Sequence, residues 1–330
     1  MRRTHALIVA CFTLSSAACQ STAPHAGRDR SARESVPVDG DARLGCLIMA
    51  HGFDDAWNTD VARSVSPLTE QDQALFELSF LEDLTGEDDE SYVPPQHAYD
   101  RLVARGATQI VVMPLFIDSC SNHIDEVRFV AGLGSIDDPE PELVDARIRS
   151  ADVPIIGLTE AIDGHPLIGA SLGPHLLARD DPGLPNSIVL VAHGPNTDRE
   201  EPHWREGLTR IMDGLAAELP DGFAARTHIM TLRVHDRHRY HERLDECRRT
   251  LRDFLARGEV FLVYNHLRSG YMDRMVMRGL PGSEAFPGVL DDLTADESAR
   301  LRHLTIDICD LGIVPRIVRD RVDGFLQDSR

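Results

Sequence analysis

The chain has 330 residues, 42% of them hydrophobic and 27% charged. These are ordinary proportions for a soluble globular protein, with enough chain for about two domains. The formal net charge of −20 argues against a nucleic-acid backbone as the main partner. No lysine occurs anywhere, which excludes a Schiff-base lysine and a P-loop lysine alike.

Residues 1–21 have the pattern of an export signal. Arg2 and Arg3 supply the basic start, Ala6 to Leu14 a short apolar core, and Ser16-Ala17-Ala18 a small-residue cleavage region. Cys19 follows directly, as the lipidated cysteine does in a bacterial lipoprotein; a plain secretory signal cleaved nearby is the alternative. The expectation is therefore an exported protein, periplasmic or membrane-anchored, that meets a membrane only through a lipid on Cys19. The apolar run is too short to span a bilayer. Residues 22–41 are rich in Ser, Ala, Pro, Gly and charge, and read as a flexible tether. Of the six cysteines, Cys46, Cys120, Cys247 and Cys309 lie beyond the signal. None is spaced as CxxC, so no structural zinc site is indicated.

Leu44 to Ala50 is a short apolar run that reads as a buried strand and leads into His51-Gly52. Trp57 to Leu68 follows as a helix. Asp83 to Tyr92 is acidic and reads as a solvated loop. Gln96 to Arg105 reads as a helix closed by Gly106. Ile110 to Met113 reads as a second buried strand, which must end at Pro114 because proline cannot donate to a ladder. The polar loop after it holds Cys120. Ser119 and Ser121 are candidate N-caps for a helix opening near His123, on which His123 and Glu126 share a face. This places Cys120 and His123 at the carboxyl rim of a strand, where ligands bind in open α/β sheets. Val153 to Leu158 reads as a strand and Leu167 to Leu177 as a helix. Within that helix Gly169-Ala170-Ser171-Leu172-Gly173 fits G-x-S-x-G, which raises a serine hydrolase using Ser171 as a third functional reading.

The pattern then repeats. Ser187 to Ala192 is a strand that runs into His193-Gly194, and His203 to Leu219 has apolar residues at helical spacing. Thr227 to Val234 reads as a strand, and His235 to His241 as a solvated loop rather than a metal cluster. Glu242 to Leu255 reads as a helix, Val260 to Tyr264 as a strand, Ile306 to Ile308 as a short apolar run and Ile317 to Phe325 as a closing helix. Strand and helix alternate in both halves, which predicts parallel sheets flanked by helices. The domains are placed at 42–181 and 182–330, with Asp180-Asp181-Pro182-Gly183 as the joint.

The segments LIMAHGFDDAWN (47–58), IVVMPLFIDSCSNHIDEV (110–127), IVLVAHGPNTD (188–198), TLRVHDRHRYHERLDECRRTLRDFLARG (231–258) and LGIVPRIVRDRVDGFL (311–326) together resemble the class II tetrapyrrole chelatases. The likeness is strongest to the sirohydrochlorin cobaltochelatase type in its long form with two fused copies, and it covers nearly everything from Leu44 onward. It implies an α/β fold of two tandem lobes facing across a cleft. The implied activity is ATP-independent insertion of a divalent metal into a sirohydrochlorin-like tetrapyrrole, as in cobalamin biosynthesis. Cobalt is favoured, with nickel or iron as alternatives, and no nucleotide is needed. His51 matches the residue that binds metal and accepts pyrrole protons. A second ligand falls at Cys120 in one family pattern and at His123 in a related one; His123 is favoured, with Cys120 as an extra or substitute ligand. Glu126 would orient His123 or relay protons. His193 is the matching histidine of the second half, and Arg128, Arg268 and Arg274 are candidates for the carboxylates of the ring. A non-catalytic, exported metal- or tetrapyrrole-binding lipoprotein on the same fold is the competing reading.

Overall fold

The computed structural model describes residues 42–69, 75–82, 91–121, 123–149, 152–179, 186–234, 237–268, 276–279, 287–304 and 307–329. The signal and tether expected in residues 1–41, the predicted joint at 180–183, most of the acidic 83–92 segment and Arg274 lie outside them.

The first half runs β1 (Leu44–Ala50), α1 (Asp55–Thr69), β2 (Leu75–Phe80), α2 (Pro95–Ala104), β3 (Gln109–Pro114), α3 (His123–Val130), α4 (Pro141–Ala146), β4 (Ile155–Leu158) and α5 (Pro166–Leu177). The second runs β5 (Asn186–Ala192), α6 (Glu201–Glu218), β6 (Ala224–Thr231), α7 (Arg237–Leu255), β7 (Glu259–Tyr264), α8 (Ala295–Arg300), β8 (Leu301–Leu304), a 3-10 turn at Ile308–Leu311 and α9 (Val314–Asp328). The strands form two four-stranded sheets in the orders β2-β1-β3-β4 and β6-β5-β7-β8. Every pairing is parallel. Prolines stand at the opening of α2, α4, α5, α6 and α9, where a fixed φ suits the first turn and no amide is missed.

Both faces of the first sheet are covered, which is why its strands read as unbroken apolar runs. Cys46, Ile48 and Ala50 of β1, with Val111 and Met113 of β3, join a core that reaches into the second sheet through Ile188, Leu190, Phe261 and Val263. Leu47, Met49, Ile110 and Val112 face the opposite way, onto α2 and α3.

The last helix of each half packs on the other half. Helix α5 lies along α6, and α9 lies on α1 and β3. Gly157 of β4 makes room for α9, since a Cβ there would sit 2.8 Å from the Phe325 ring. Arg321 of α9 donates to Glu160 Oε2 at 2.8 Å and to the Ile162 carbonyl at 2.6 Å.

Three expectations need correction. Strand β6 begins and ends three residues earlier than predicted; Arg233 takes a left-handed φ of 55°, which breaks the ladder beyond Thr231. The 237–241 stretch is not a loop but the first turns of α7, with Tyr240 buried and donating to the Pro287 carbonyl at 2.7 Å. Ser119 is not a helix cap, because its hydroxyl is drawn to Asp163; the His123 amide instead lies 3.4 Å from Ser121 Oγ.

Candidate active site

Strand β1 ends at Ala50 and delivers His51 to the carboxyl rim of the sheet. Gly52 follows with φ 89°, and a Cβ there would lie 2.1 Å from the Glu82 carbonyl oxygen. Only glycine lets the chain leaving β1 press against the chain leaving β2 in this way. The Glu82 amide donates to the His51 carbonyl at 2.9 Å, and Glu82 Oε1 stands 3.8 Å from His51 Nε2. His51 Nδ1 lies 2.6 Å from the Gly52 carbonyl. A carbonyl only accepts, so Nδ1 carries the proton and the lone pair is left on Nε2.

Strand β3 ends at Pro114, and the loop after it returns to open α3 at His123. The rings of His51 and His123 meet edge-on, their centroids 4.5 Å apart with an interplanar angle of 86°. Phe116 stacks on the other side of His123, at 5.7 Å and 18°. One helical turn on, Glu126 Oε2 accepts from His123 Nδ1 at 2.7 Å, so here too the lone pair lies on Nε2. Burial opposes the charged form of His123. The hydrogen bond and charge of Glu126, with the charge of Glu82, outweigh it and hold the imidazole above its usual range. Burial likewise works against the Glu126 carboxylate, yet His123 and His51 bring it below its usual range. Each histidine thus has an oxygen fixing its tautomer from behind, as metal-binding and proton-accepting imidazoles characteristically do.

The second half repeats the backbone but not the chemistry. Gly194 has φ 82°, and His193 Nδ1 lies 2.8 Å from its carbonyl. The amide bonded to the His193 carbonyl belongs to Val234, so a valine stands where the first half has Glu82. His193 packs on Trp204 at 4.7 Å. Burial, together with the nearby His123, pushes it down to about 4, and it stays neutral near pH 7. After β7 the Asn265 amide donates to Val191 as Leu115 does to Met49, which sets His266 at the place of Phe116. His266 is buried against Asp307, with Nε2 2.5 Å from Oδ1.

Cys120 lies with Asp118 and His203 in a group whose ligand atoms are all within 4.8 Å of one another. Arg268 is bound to carboxylates of both halves: Asp60 Oδ2 at 2.5 Å, Asp307, and Asp310 Oδ2 at 4.0 Å. Arg128 lies half-buried on α3. Ser171 sits inside α5, so the strand-turn-helix elbow that a G-x-S-x-G nucleophile needs is absent there. Its flanking glycines serve packing instead. A Cβ on Gly169 would fall 1.9 Å from the Ile211 carbonyl oxygen, and one on Gly173 2.7 Å from Glu218 Cβ. Sequence reasoning missed Glu82, Asp118, Asp163 and His203. For Glu82 a signal existed: LFELSF (75–80) is the first-half counterpart of the strand recognised after α6, and Glu82 follows it. No helix among the described residues is long and apolar enough to cross a membrane.

Two parallel four-stranded sheets flanked by helices, each with a strand leading into His-Gly, define a pair of chelatase-like α/β lobes. Among solved structures the chain is similar to SirB from Bacillus subtilis with Fe3+, at 16% identity and a TM-score of 0.55, covering 87% of this chain and 97% of that one. It is also similar to DR2241 from Deinococcus radiodurans, described as multi-domain with structural similarity to chelatases (14%, TM-score 0.46, 84% of this chain and 54% of that one). A third is CbiX, the terminal enzyme for biosynthesis of siroheme in denitrifying bacteria (17%, TM-score 0.43, 85% and 98%). At such identities the likeness to SirB is one of fold. No protein-family model matches the chain, and no curated protein matches it.

Proposed function

We propose that the protein inserts a divalent metal, cobalt in the first instance, into a sirohydrochlorin-like tetrapyrrole without ATP. The observation that carries this reading is the edge-on pair of His51 and His123, each with its lone pair on Nε2. Insertion requires a metal to shed water and two pyrrole N–H protons to leave. A neutral imidazole binds borderline ions such as Co2+, Ni2+ and Fe2+, and it accepts protons near neutrality. His51 and His123 would hold the incoming ion and take the protons. Glu126 positions His123, and Glu82 lies where it can receive a proton from His51. Neutral His193 would face the ring without competing for a proton, and Arg128 is the described arginine left for a ring carboxylate.

Purified protein should accelerate the absorbance change of sirohydrochlorin with Co2+, and His51→Ala and His123→Ala should each abolish the acceleration. No acceleration with Co2+, Ni2+ or Fe2+ would overturn this reading. The second reading, a binding protein without turnover, rests on the export signal expected in residues 1–21. Stoichiometric uptake of ring or metal with no product would select it. We propose that the chain is exported and anchored through Cys19; Cys19→Ser should move it from the membrane fraction to the soluble one.

A further inference from the structure

The loop between β3 and α3 contains a second constellation of ligands that the histidine pair does not use. Asp118 and Cys120 come from this loop in the first half, and His203 comes from the first turn of α6 in the second. One ligand atom from each lies within 4.8 Å of the other two. Asp163 adjoins them, and both carboxylates are buried, each 3% exposed. His203 Nε2 is 3.1 Å from Asp163 Oδ1 and 3.7 Å from Asp118 Oδ1. Arg210 reaches the cluster but donates to the Asp163 carbonyl, not to its carboxylate. Two buried carboxylates thus share one imidazole, and such an imbalance is costly unless a cation or a proton corrects it.

The loop is held in shape around these groups. The Cys120 amide donates to Asp118 Oδ1 at 2.7 Å. The Ser119 amide donates to Asp163 Oδ1 at 2.6 Å, its hydroxyl donates to Asp163 Oδ2, and its Oγ accepts from the Ala161 amide at 2.8 Å. Asp163 itself takes a left-handed φ of 46°. A non-glycine residue persists in that region when its surroundings over-determine it, as they do at binding sites.

We propose that Asp118, Cys120 and His203 form a second divalent-cation site, separate from the His51–His123 pair, which ties the β3–α3 loop of one half to α6 of the other. One carboxylate, one thiolate and one imidazole suit a four-coordinate zinc or cobalt ion with water in the last position. Binding releases the thiol proton and the proton that His203 Nε2 shares with Asp163. Cys120 stands three residues before His123, so the ion also steadies the segment that presents His123. The inference does not depend on the chelatase reading, since it concerns binding of the ion alone.

The test is titration of the full-length, metal-stripped protein with Co2+, following the thiolate-to-cobalt charge-transfer band and the cobalt retained. Wild type should develop the band, saturating at one equivalent. Cys120→Ser should lack it, and His203→Ala should weaken the affinity read from the band at least tenfold. His51→Ala should keep the band intact. Cys120→Asp combined with His51→Ala, which retains a ligand at this site and disables the histidine pair, should lack the band yet hold its cobalt, which separates loss of the thiolate from loss of the fold. Absence of the band in wild type would overturn the proposal. So would its loss in His51→Ala, which would put the thiolate on the histidine pair.

Discussion

His51 and His123 differ in what stands behind them, and the difference has a measurable consequence. His51 donates to a backbone carbonyl, whereas His123 donates to the Glu126 carboxylate. Glu126→Gln keeps a hydrogen-bonding group in place but removes its charge, making His123 a weaker base and a weaker ligand. Co2+ affinity at the histidine pair, measured by calorimetry near neutral pH, should fall by about 10–100-fold, with the circular dichroism of the fold unchanged. His193 behaves differently. Burial drives it down to about 4, so below its unfolded-state value the unfolded chain binds the proton more readily than the folded one. Its contribution is therefore fully present above about pH 6.5 and is lost as pH falls toward about 4. His193→Gln should lose less melting temperature than wild type between neutral pH and about pH 4.5; equal losses would show that His193 is not held neutral by the fold. His51 and His193 were legible because each directly follows a short apolar strand, and His123 because it opens the helix after the next one. The strand that leads to Glu82 could be read, but its link to His51 could not, because that is a contact between neighbouring strand ends that are distant in sequence. Asp163 reaches the Asp118 loop across the carboxyl rim of the first sheet, and His203 meets both only through the packing of the two halves, which no local spacing encodes.

At the scale of elements, the repeated strand-helix pattern was readable because buried parallel strands are continuously apolar and their helices keep a 3.6-residue stripe. Glycines were harder to interpret. Gly169 and Gly173 suggest a nucleophile elbow in sequence, yet in the fold they bring α5 against the backbone of α6. Gly214 contributes from the other side, where a Cβ would lie 2.5 Å from the Pro166 carbonyl oxygen. Because the obstacle at Gly169 is backbone, it cannot swing aside as a side chain could. Gly169→Ala should destabilise by about 3 kcal/mol or more in denaturant unfolding, at the upper end of overpacking costs. Gly324 offers the contrast: it lies within α9, and a Cβ added there would meet nothing within 4 Å. Gly324→Ala should stabilise by about 0.5–1 kcal/mol, since alanine loses less entropy in a helix. If both substitutions proved neutral, close approach of α5 to α6 would not be what Gly169 serves.

The whole molecule depends on what the two halves exchange. Arg268 joins Asp60 of α1 to Asp307 and Asp310 near the chain's end, and Asp307 is 2% exposed. Removing the guanidinium takes its cation away from that buried carboxylate, so Arg268→Ala should cost about 3 kcal/mol, within reach of a broken buried pair. The larger dependence is on α9. A repeat in sequence suggests two self-sufficient units, but repetition reports the pattern of elements and not which partner each one covers. Val314, Ile317, Val318, Val322 and Phe325 are all buried, in a core they share with α1, β1 and β3 of the first half. At about 1.5–3 kcal/mol for each such side chain, their burial amounts to roughly 8–15 kcal/mol, as large as the whole stability of an ordinary domain. A chain stopped after Gly312 should therefore lose cooperative unfolding in the first half as well as the second. Adding residues 313–330 as a separate peptide should restore it in part. Exchange of backbone amides along β1 and β3 is the measurement that decides: if those strands stay protected in the shortened chain, the first half holds its own core and the exchange of helices is not what stabilises it.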